Sequence, residues 1–225
     1  MWNLTAPPGF QGLRADEEVT IYVRHLPHWR QQGATYFVTF RLHDSLPQCK
    51  LRELAAWRAE WRRRHPPPHS DDAWHDFLRG VMGRVEAWLD QGLGSCVLKH
   101  PHASAALSGT MHRFDGRRYE LAAYVVMPNH VHALVRPIAG DADPLERILQ
   151  TWKRFSARHI NERLGQSGSL WQEETFDRIV RDEEHLYRCI QYIGANAVRA
   201  GLSPSASRRW IRPEWTALRW RFADP

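Results

Sequence analysis

The stretch YVVMPNHVHALVRP, residues 124–137, contains two apolar runs separated by a short turn. Both runs are rich in valine and predict β-strands, and residues 127–129 predict the turn, because proline fixes φ and asparagine tolerates turn geometry. Side chains alternate along a strand, so His130 and His132 share one face. This pair supplies two thirds of a metal site, expected at the start of the second strand near the sheet edge, within reach of a substrate. Because the chain has 13 histidines, a purely structural pair remains the alternative.

The composition predicts a folded protein with a full core. Of 225 residues, 43% are hydrophobic and 25% are charged. No apolar run approaches the ~18 residues of a membrane-spanning helix, and residues 1–8 lack the basic and apolar regions of a secretory signal. Cys49, Cys96 and Cys189 show no C-x-x-C spacing and suit a reducing compartment. We therefore expect a cytoplasmic, nucleoid-associated protein with no membrane partner.

The charge balance favours a polyanionic partner. The net charge is +6 and the sequence pI is about 9.6, which is typical of nucleic-acid-binding proteins and also of a merely basic surface. Most of the 11 tryptophans are expected to fill the core or the surface, although some could stack on unpaired bases.

The order of elements predicts an α+β fold: a mainly antiparallel sheet with helices packed on one face. Three segments are expected: an N-terminal arm (1–32), a catalytic domain (33–202) and a C-terminal tail (203–225). Within the domain we predict strands at 33–42, 95–98, 118–127 and 130–137, and helices that begin near residues 47, 70, 102, 144 and 182.

The last of these helices brings together two polar side chains. Its apolar stripe consists of Leu186, Ile190, Ile193 and Ala197, and at 100° per residue Tyr192 and Asn196 fall together on a neighbouring face. Gly194 lowers the stability of the helix by ~1 kcal/mol relative to alanine. The alternative for Tyr192 is a boundary aromatic whose hydroxyl faces water.

Several ordered motifs give the chain a family resemblance. Residues 124–132 (YVVMPNHVH), 170–172 (LWQ), 176–184 (FDRIVRDEE) and 192–202 (YIGANAVRAGL) resemble the single-tyrosine HUH transposases of the insertion-sequence 200-like type, in particular their REP-associated branch. The resemblance runs from about residue 33 to residue 202. It implies the HUH endonuclease fold, which is built on a ferredoxin-like sheet.

The resemblance also implies a site and a chemistry. His130, His132 and Asn196 would hold a divalent ion, Mg²⁺ or Mn²⁺, and Tyr192 would be the nucleophile that forms a 5′-phosphotyrosine. The substrate would be single-stranded DNA folded into REP-like hairpins, cleaved and rejoined without an organic cofactor. One departure is Ala197, where members of the family usually have proline. Tyr187 is a weaker candidate nucleophile in the same helix.

Five basic residues are candidate contacts to the DNA backbone: Lys153, Arg154, Arg158, Arg178 and Arg181. Taken alone, each fits a solvated surface charge better than a DNA contact. The basic run at residues 62–64 could likewise contact DNA phosphates or be a solvated surface charge.

Other functions remain open at the level of the sequence. An HUH replication initiator or relaxase would share the chemistry, and a catalytically silent hairpin-binding protein would share the partner. A metal hydrolase that uses water would leave Tyr192 structural. The chain is compatible with a monomer or a homodimer.

Overall fold

A computed structural model describes residues 4–24, 26–203 and 206–223, with Asp141 described by its backbone alone. The predicted arm and tail therefore lie partly outside the described residues. In chain order the elements are β1 (Thr20–Val23), β2 (Pro27–Arg30), β3 (Tyr36–Arg41), α1 (Gln48–Arg64), α2 (Asp71–Leu89), α3 (Pro101–His112), β4 (Tyr119–Val126), β5 (His130–Pro137), α4 (Leu145–Leu164), β6 (Phe176–Ile179), α5 (Glu183–Arg199), β7 (Arg208–Ile211) and α6 (Pro213–Ala217).

The main sheet has five antiparallel strands in the order β6-β3-β5-β4-β7. The path β3-α3-β4-β5-α4-β6 places its four strands in the ferredoxin-like order, with β7 added beside β4. The predicted α+β fold with a mainly antiparallel, ferredoxin-like sheet is confirmed. The β4–β5 turn is also confirmed, since the Met127 N–H donates to the His130 carbonyl at 2.9 Å.

The prediction that the helices pack on one face is wrong for α5. Leu107 of α3 and Trp152 of α4 pack with one face of the sheet, as expected for two crossover helices of the same hand. Leu186 and Ile193 of α5 pack on the opposite face with Phe37. The reason is that α5 follows the edge strand β6, and its apolar stripe covers the side that α3 and α4 leave open.

Helices α1 and α2 form a hairpin with a hydrophobic cluster of their own, which includes Trp61 and Phe77. The predicted start of α2 is confirmed, because the Ser70 hydroxyl accepts from the Ala73 N–H at 3.2 Å. At the other end of the hairpin Gly94 has φ +85°, and a Cβ there would lie 2.5 Å from the Asp44 carbonyl oxygen. The segment that enters the hairpin from β3 and the segment that leaves it after α2 are therefore in close contact.

Other local predictions differ from the structure. Residues 95–98 do not form a strand: Cys96 adopts φ 50° and is followed by a short 3-10 helix at Val97–Lys99. The arm contributes the β1–β2 hairpin and the tail contributes β7 and α6. Trp215 and Trp220 of the tail are buried and donate to the carbonyls of Pro8 and Thr5, so these two tryptophans serve the core.

No helix within the described ranges is long and apolar enough to cross a membrane.

Candidate active site

The four residues of the predicted site come together between β5 and α5. The rings of His130 and His132 are 4.8 Å apart between centroids, and the ring of Tyr192 lies 5.0 Å from that of His132 in an edge-to-face contact. Asn196, one helical turn after Tyr192, lies against His130. Each pair is placed by one regular element, the histidines by strand alternation and the other two by the helical turn.

The site is buried, in contrast to the prediction of a position near the sheet edge. His130 is 1% exposed, and His132 and Asn196 are fully buried. The strand β5 is central in the sheet, between β3 and β4, and α5 covers the face on which the histidines lie. The ring of Phe37 stacks on His132 with centroids 5.5 Å apart and closes the site from the β3 side.

A hydrogen bond at Nδ1 fixes the orientation of each imidazole. His130 Nδ1 lies 2.8 Å from Asn129 Oδ1, and His132 Nδ1 lies 2.8 Å from the Thr39 hydroxyl. In the tautomer in which Nδ1–H donates, each Nε2 keeps its lone pair. Supporting hydrogen bonds of this kind are typical of metal-bound histidines.

Several buried polar atoms of this site have no hydrogen-bond partner: Nε2 of His132, both side-chain polar atoms of Asn196 and the hydroxyl of Tyr192. Asn196 lies beside His130, but neither its Oδ1 nor its Nδ2 has hydrogen-bond geometry with a protein atom. An unsatisfied buried polar group costs about 1–3 kcal/mol. Four such atoms on three neighbouring side chains are the pattern expected of a site that is completed by a ligand.

Burial keeps both imidazoles neutral. It lowers the pKa of His130 to about 3, against an opposing effect of Asn196. It also lowers the pKa of His132 well below its usual range, and the positive charges of Arg178 and Arg199 act in the same direction. A neutral imidazole is the form that binds a metal.

Tyr192 has a protonated hydroxyl at neutral pH. Burial raises its pKa, and the neighbouring carboxylate of Glu86 on α2 raises it further, while Arg199 lowers it. The Arg199 guanidinium carbon lies 4.6 Å from the centroid of the tyrosine ring. Glu86 faces the hydroxyl without the geometry of a hydrogen bond. The pKa of Glu86 is itself raised by burial, in spite of the hydroxyl and the two arginines.

The residues present fit a divalent ion. His132 Nε2 and Asn196 Oδ1 are lone-pair donors without a protein partner, and mixed imidazole and amide ligation suits Mn²⁺ and tolerates Mg²⁺. Among the described residues no group of three histidine, cysteine, aspartate or glutamate side chains could hold a metal. An ion bound here would therefore need the Asn196 amide beside the two histidines.

The predicted DNA contacts fall on two sides of the sheet. Arg178 is exposed on the face of the histidines, where its guanidinium carbon lies 5.0 Å from the centroid of Phe37. Arg181 is exposed just before α5. Lys153, Arg154 and Arg158 belong to α4, which packs on the opposite face.

Those three residues of α4 also differ in their surroundings. The Lys153 ammonium donates to the carbonyls of Gln172 and Glu173 at 2.9 and 2.8 Å. Arg158 is paired with Glu162 at 2.9 Å. Arg154 is exposed and lines a cavity that is described below.

Sequence reasoning missed three residues of the site. Arg199 lies seven positions after Tyr192, close to two full helical turns, so its place beside the tyrosine could have been found from periodicity. Thr39 is the register partner of His132 on β3, which no local pattern reveals. Glu86 comes from α2, more than one hundred residues before the tyrosine, and only the tertiary fold brings it to the site.

The tyrosine that resembles the nucleophile is the one beside the histidines. The ring of Tyr187 packs against Trp220 of the tail, with centroids 6.3 Å apart. Tyr187 is therefore a suitable control for experiments on Tyr192.

Comparisons with known proteins add little to this geometry. No protein-family model matches the chain, and no curated protein matches it. Five chains of solved structures match, among them a REP-associated tyrosine transposase bound to a REP hairpin, with 16% identity and a TM-score of 0.42. That match covers 81% of this chain and 74% of the other. A likeness at this level establishes neither a shared family nor a shared activity.

Proposed function

We propose that the chain is a metal-dependent transposase or endonuclease that cleaves and rejoins single-stranded hairpin DNA through a covalent 5′-phosphotyrosine at Tyr192. The observation that carries the proposal is the convergence of unpartnered buried atoms: His132 Nε2, the Asn196 amide and the Tyr192 hydroxyl. A nucleophile beside an incomplete ligand set is an arrangement suited to phosphoryl transfer. The ordered motifs of the sequence support the same chemistry.

The metal would be held by His130, His132 and Asn196. Its contribution would be to withdraw charge from the non-bridging phosphate oxygens. The protein supplies the rigid geometry, because Asn129 and Thr39 fix the two imidazoles through Nδ1.

The side chains around Tyr192 can accept the phenolic proton and stabilise negative charge on the phenolic oxygen. The tyrosine oxygen bonds to phosphorus as the bond from phosphorus to the 3′ oxygen breaks, and that oxygen leaves as a 3′ hydroxyl after taking a proton from water. The phenolic proton passes to Glu86, whose carboxylate faces the hydroxyl. Arg199 lies over the tyrosine ring and lowers the pKa of the hydroxyl. The phosphotyrosine keeps the energy of the broken bond, so a second 3′ hydroxyl can rejoin the strand without ATP.

Support for a nucleic-acid substrate comes from charge. The chain carries a net charge of +6, and Arg178 and Arg199 are exposed beside the site. Guanidinium groups at the mouth of a site attract phosphates, and such binding weakens with salt. We expect tighter binding to a hairpin with a single-stranded tail than to a blunt duplex of the same sequence.

The complete burial of His130, His132 and Asn196 favours a second candidate, a hairpin-binding protein that does not cleave. In that case these three residues would be part of the protein core and would bind neither a metal nor the DNA. Hairpin binding without a covalent adduct, in Mg²⁺ or Mn²⁺, is the result that would favour this candidate.

The decisive experiment detects the covalent link. The protein is incubated with a hairpin oligonucleotide labelled on either side of the cut, denatured and separated by size. We expect the fragment with the 5′ phosphate to stay on the protein and the fragment with the 3′ hydroxyl to be released. Tyr192→Phe deletes only a hydroxyl and should lose the adduct, whereas Tyr187→Phe should keep it. An adduct that persists in Tyr192→Phe, or one that carries the other fragment, contradicts the mechanism.

A further inference from the structure

A cavity of about 790 Å³ lies on the face of the sheet opposite Tyr192. Its walls come from the β1–β2 hairpin, α4 and the segment 168–177, and none of the four residues of the candidate active site lines it. The sequence motifs LWQ and FDR contribute to it through Trp171, Gln172 and Asp177. The proposed function gives this cavity no role.

One wall of the cavity is a rigid network of paired charges around Asp177, which is 3% exposed. Its carboxylate binds His28 Nδ1 at 2.6 Å and the guanidinium of Arg30, and Arg30 also binds Glu146 through Nε at 2.6 Å. Burial lowers the pKa of His28, but hydrogen bonds to Asp177 and Glu174 outweigh burial and raise it to about 9. The wall is thus held in place, and its acids are occupied by its own cations.

Outside this network, the exposed charged side chains that line the cavity are two arginines and one glutamate, Glu173, so their net charge is positive. Arg24 and Arg154 both line it and are exposed, and neither forms an ion pair in the part of the chain that the structure describes. The Lys153 ammonium is already held by backbone carbonyls and the Thr175 hydroxyl. An anionic group entering the mouth would meet two guanidinium groups that are free to bind it.

The interior of the cavity combines apolar and amide groups. Leu149, Ala157 and Leu170 supply apolar surface, and Gln150 and Gln172 supply side-chain amides. Amides can pair with the edges of nucleobases, and apolar surface can cover a planar ring. The volume is within the usual range for small-molecule sites, roughly 300–1,000 Å³.

We propose that this cavity binds one nucleotide, with its phosphate against Arg24 and Arg154 and its base between the apolar surface and the glutamine amides. The inference rests on the proposed function for the source of that nucleotide, which is the unpaired tail of the DNA strand whose hairpin is cleaved. A free nucleotide has the same chemistry, so both sources need to be tested. The cavity would add a second, single-strand-specific contact on the side of the sheet away from the tyrosine.

The test measures the affinity of the full-length protein for a fluorescent hairpin, with and without a single-stranded tail, at several salt concentrations. Arg24→Ala and Arg154→Ala should each weaken binding of the tailed hairpin roughly tenfold, as loss of a charge-assisted hydrogen bond does. Each should also lower the salt slope by about 1. The tail-free hairpin should bind all variants alike. The matched control is Arg79→Ala on α2, which removes the same charge from an exposed residue that is paired with Asp76 and does not line the cavity.

The outcomes separate the two proposals. Wild-type affinity for the tailed hairpin in both cavity variants, or an equal loss in Arg79→Ala, overturns the cavity proposal. A loss confined to Arg24→Ala and Arg154→Ala supports it, and titration with a mononucleotide then shows whether a free nucleotide is also bound. The adduct on Tyr192 is measured separately at saturating DNA. An adduct with unchanged tail affinity refutes only the cavity, and a tail effect without an adduct refutes only the cleavage mechanism.

Discussion

Two fully buried asparagines differ in one respect that stability measurements can detect. Both polar atoms of Asn196 lack hydrogen-bond partners. The Asn129 amide, in contrast, donates to the carbonyls of Leu89 and Leu93 at 3.2 and 3.0 Å, and its Oδ1 lies 2.8 Å from His130 Nδ1. The same substitution by leucine at both positions therefore compares an unsatisfied buried amide with a satisfied one.

The expected magnitudes follow from these contacts. Asn129→Leu loses three hydrogen bonds at about 1 kcal/mol each and adds about 1–3 kcal/mol of overpacking by the larger side chain, so we expect a loss of about 4–6 kcal/mol in the free energy of unfolding. Asn196→Leu loses none. It removes two unsatisfied atoms, each worth about 1–3 kcal/mol, and this gain offsets about 1–3 kcal/mol of overpacking by the larger side chain. We expect Asn196→Leu to leave the free energy of unfolding within about 1 kcal/mol of the wild type, or to increase it.

The assay is urea unfolding of the metal-free protein in the presence of chelator, followed by thermal unfolding with added Mn²⁺. For a chain of this length each kcal/mol shifts the Tm by about 2–4 °C. An ion at a hundred times its Kd should stabilise the wild type by about 2.7 kcal/mol, and Asn196→Leu should lose most of this effect. A loss of stability in Asn196→Leu equal to that in Asn129→Leu would refute the reasoning, because Asn196 would then be making structural hydrogen bonds.

Further predictions concern the chemistry and the packing around the site. Excess chelator should abolish the DNA adduct, and added Mg²⁺ or Mn²⁺ should restore it. If the wild-type amount of adduct still forms in excess chelator, the reaction does not need a metal ion. Because a protonated Glu86 cannot accept the phenolic proton, adduct formation should rise with pH in the wild type, and Glu86→Gln should be slower and lose this rise. The pKa of His130 is lowered to about 3, so its ring should stay neutral in NMR titrations between about pH 5 and 8. The free energy of unfolding should fall as the pH drops below the unfolded-state pKa of ~6.5, because only the unfolded chain then binds a proton at His130. A ring that titrates near pH ~6.5 contradicts its burial. Gly194→Ala should destabilise the protein by about 1–2 kcal/mol because its Cβ would lie 2.8 Å from the Phe222 ring, whereas Gly109→Ala, with nothing within 4 Å, should be neutral or stabilising in urea unfolding.

The parts of the fold that local patterns determine could be predicted from the sequence. The valine-rich runs on both sides of the turn at residues 127–129 give β4 and β5, and the stripe of Leu186, Ile190 and Ile193 gives α5 with its buried face. The same periodicities place His130 beside His132. The metal ligation and the nucleophilic role of Tyr192 remain predictions until the adduct experiment is done.

The parts that depend on tertiary contacts could not be predicted. The short strand β6 has four residues and is recognisable only through its pairing with β3. The helix glycine Gly194 signals instability in the sequence, but in the structure it allows the close approach of Phe222 from the tail. The burial of the histidines depends on α5 crossing the face that α3 and α4 leave open, and no local pattern encodes that choice.

Burial gives the site a definite chemical state before any substrate arrives. The histidines are neutral, and the hydroxyl of Tyr192 holds its proton more tightly than a free tyrosine does. The tyrosine is therefore a poor nucleophile until positive charge lies near its oxygen. Arg199 already lies over the tyrosine ring and Arg178 is exposed near the histidines, so positive charges that would stabilise a phenolate lie near a hydroxyl that is still protonated. In the proposed reaction a phosphodiester beside these arginines would take up part of their charge, so the phenolic proton would have to be removed by Glu86. Under that proposal the attack by Tyr192 would couple bond formation to proton transfer, because the free protein keeps the hydroxyl protonated.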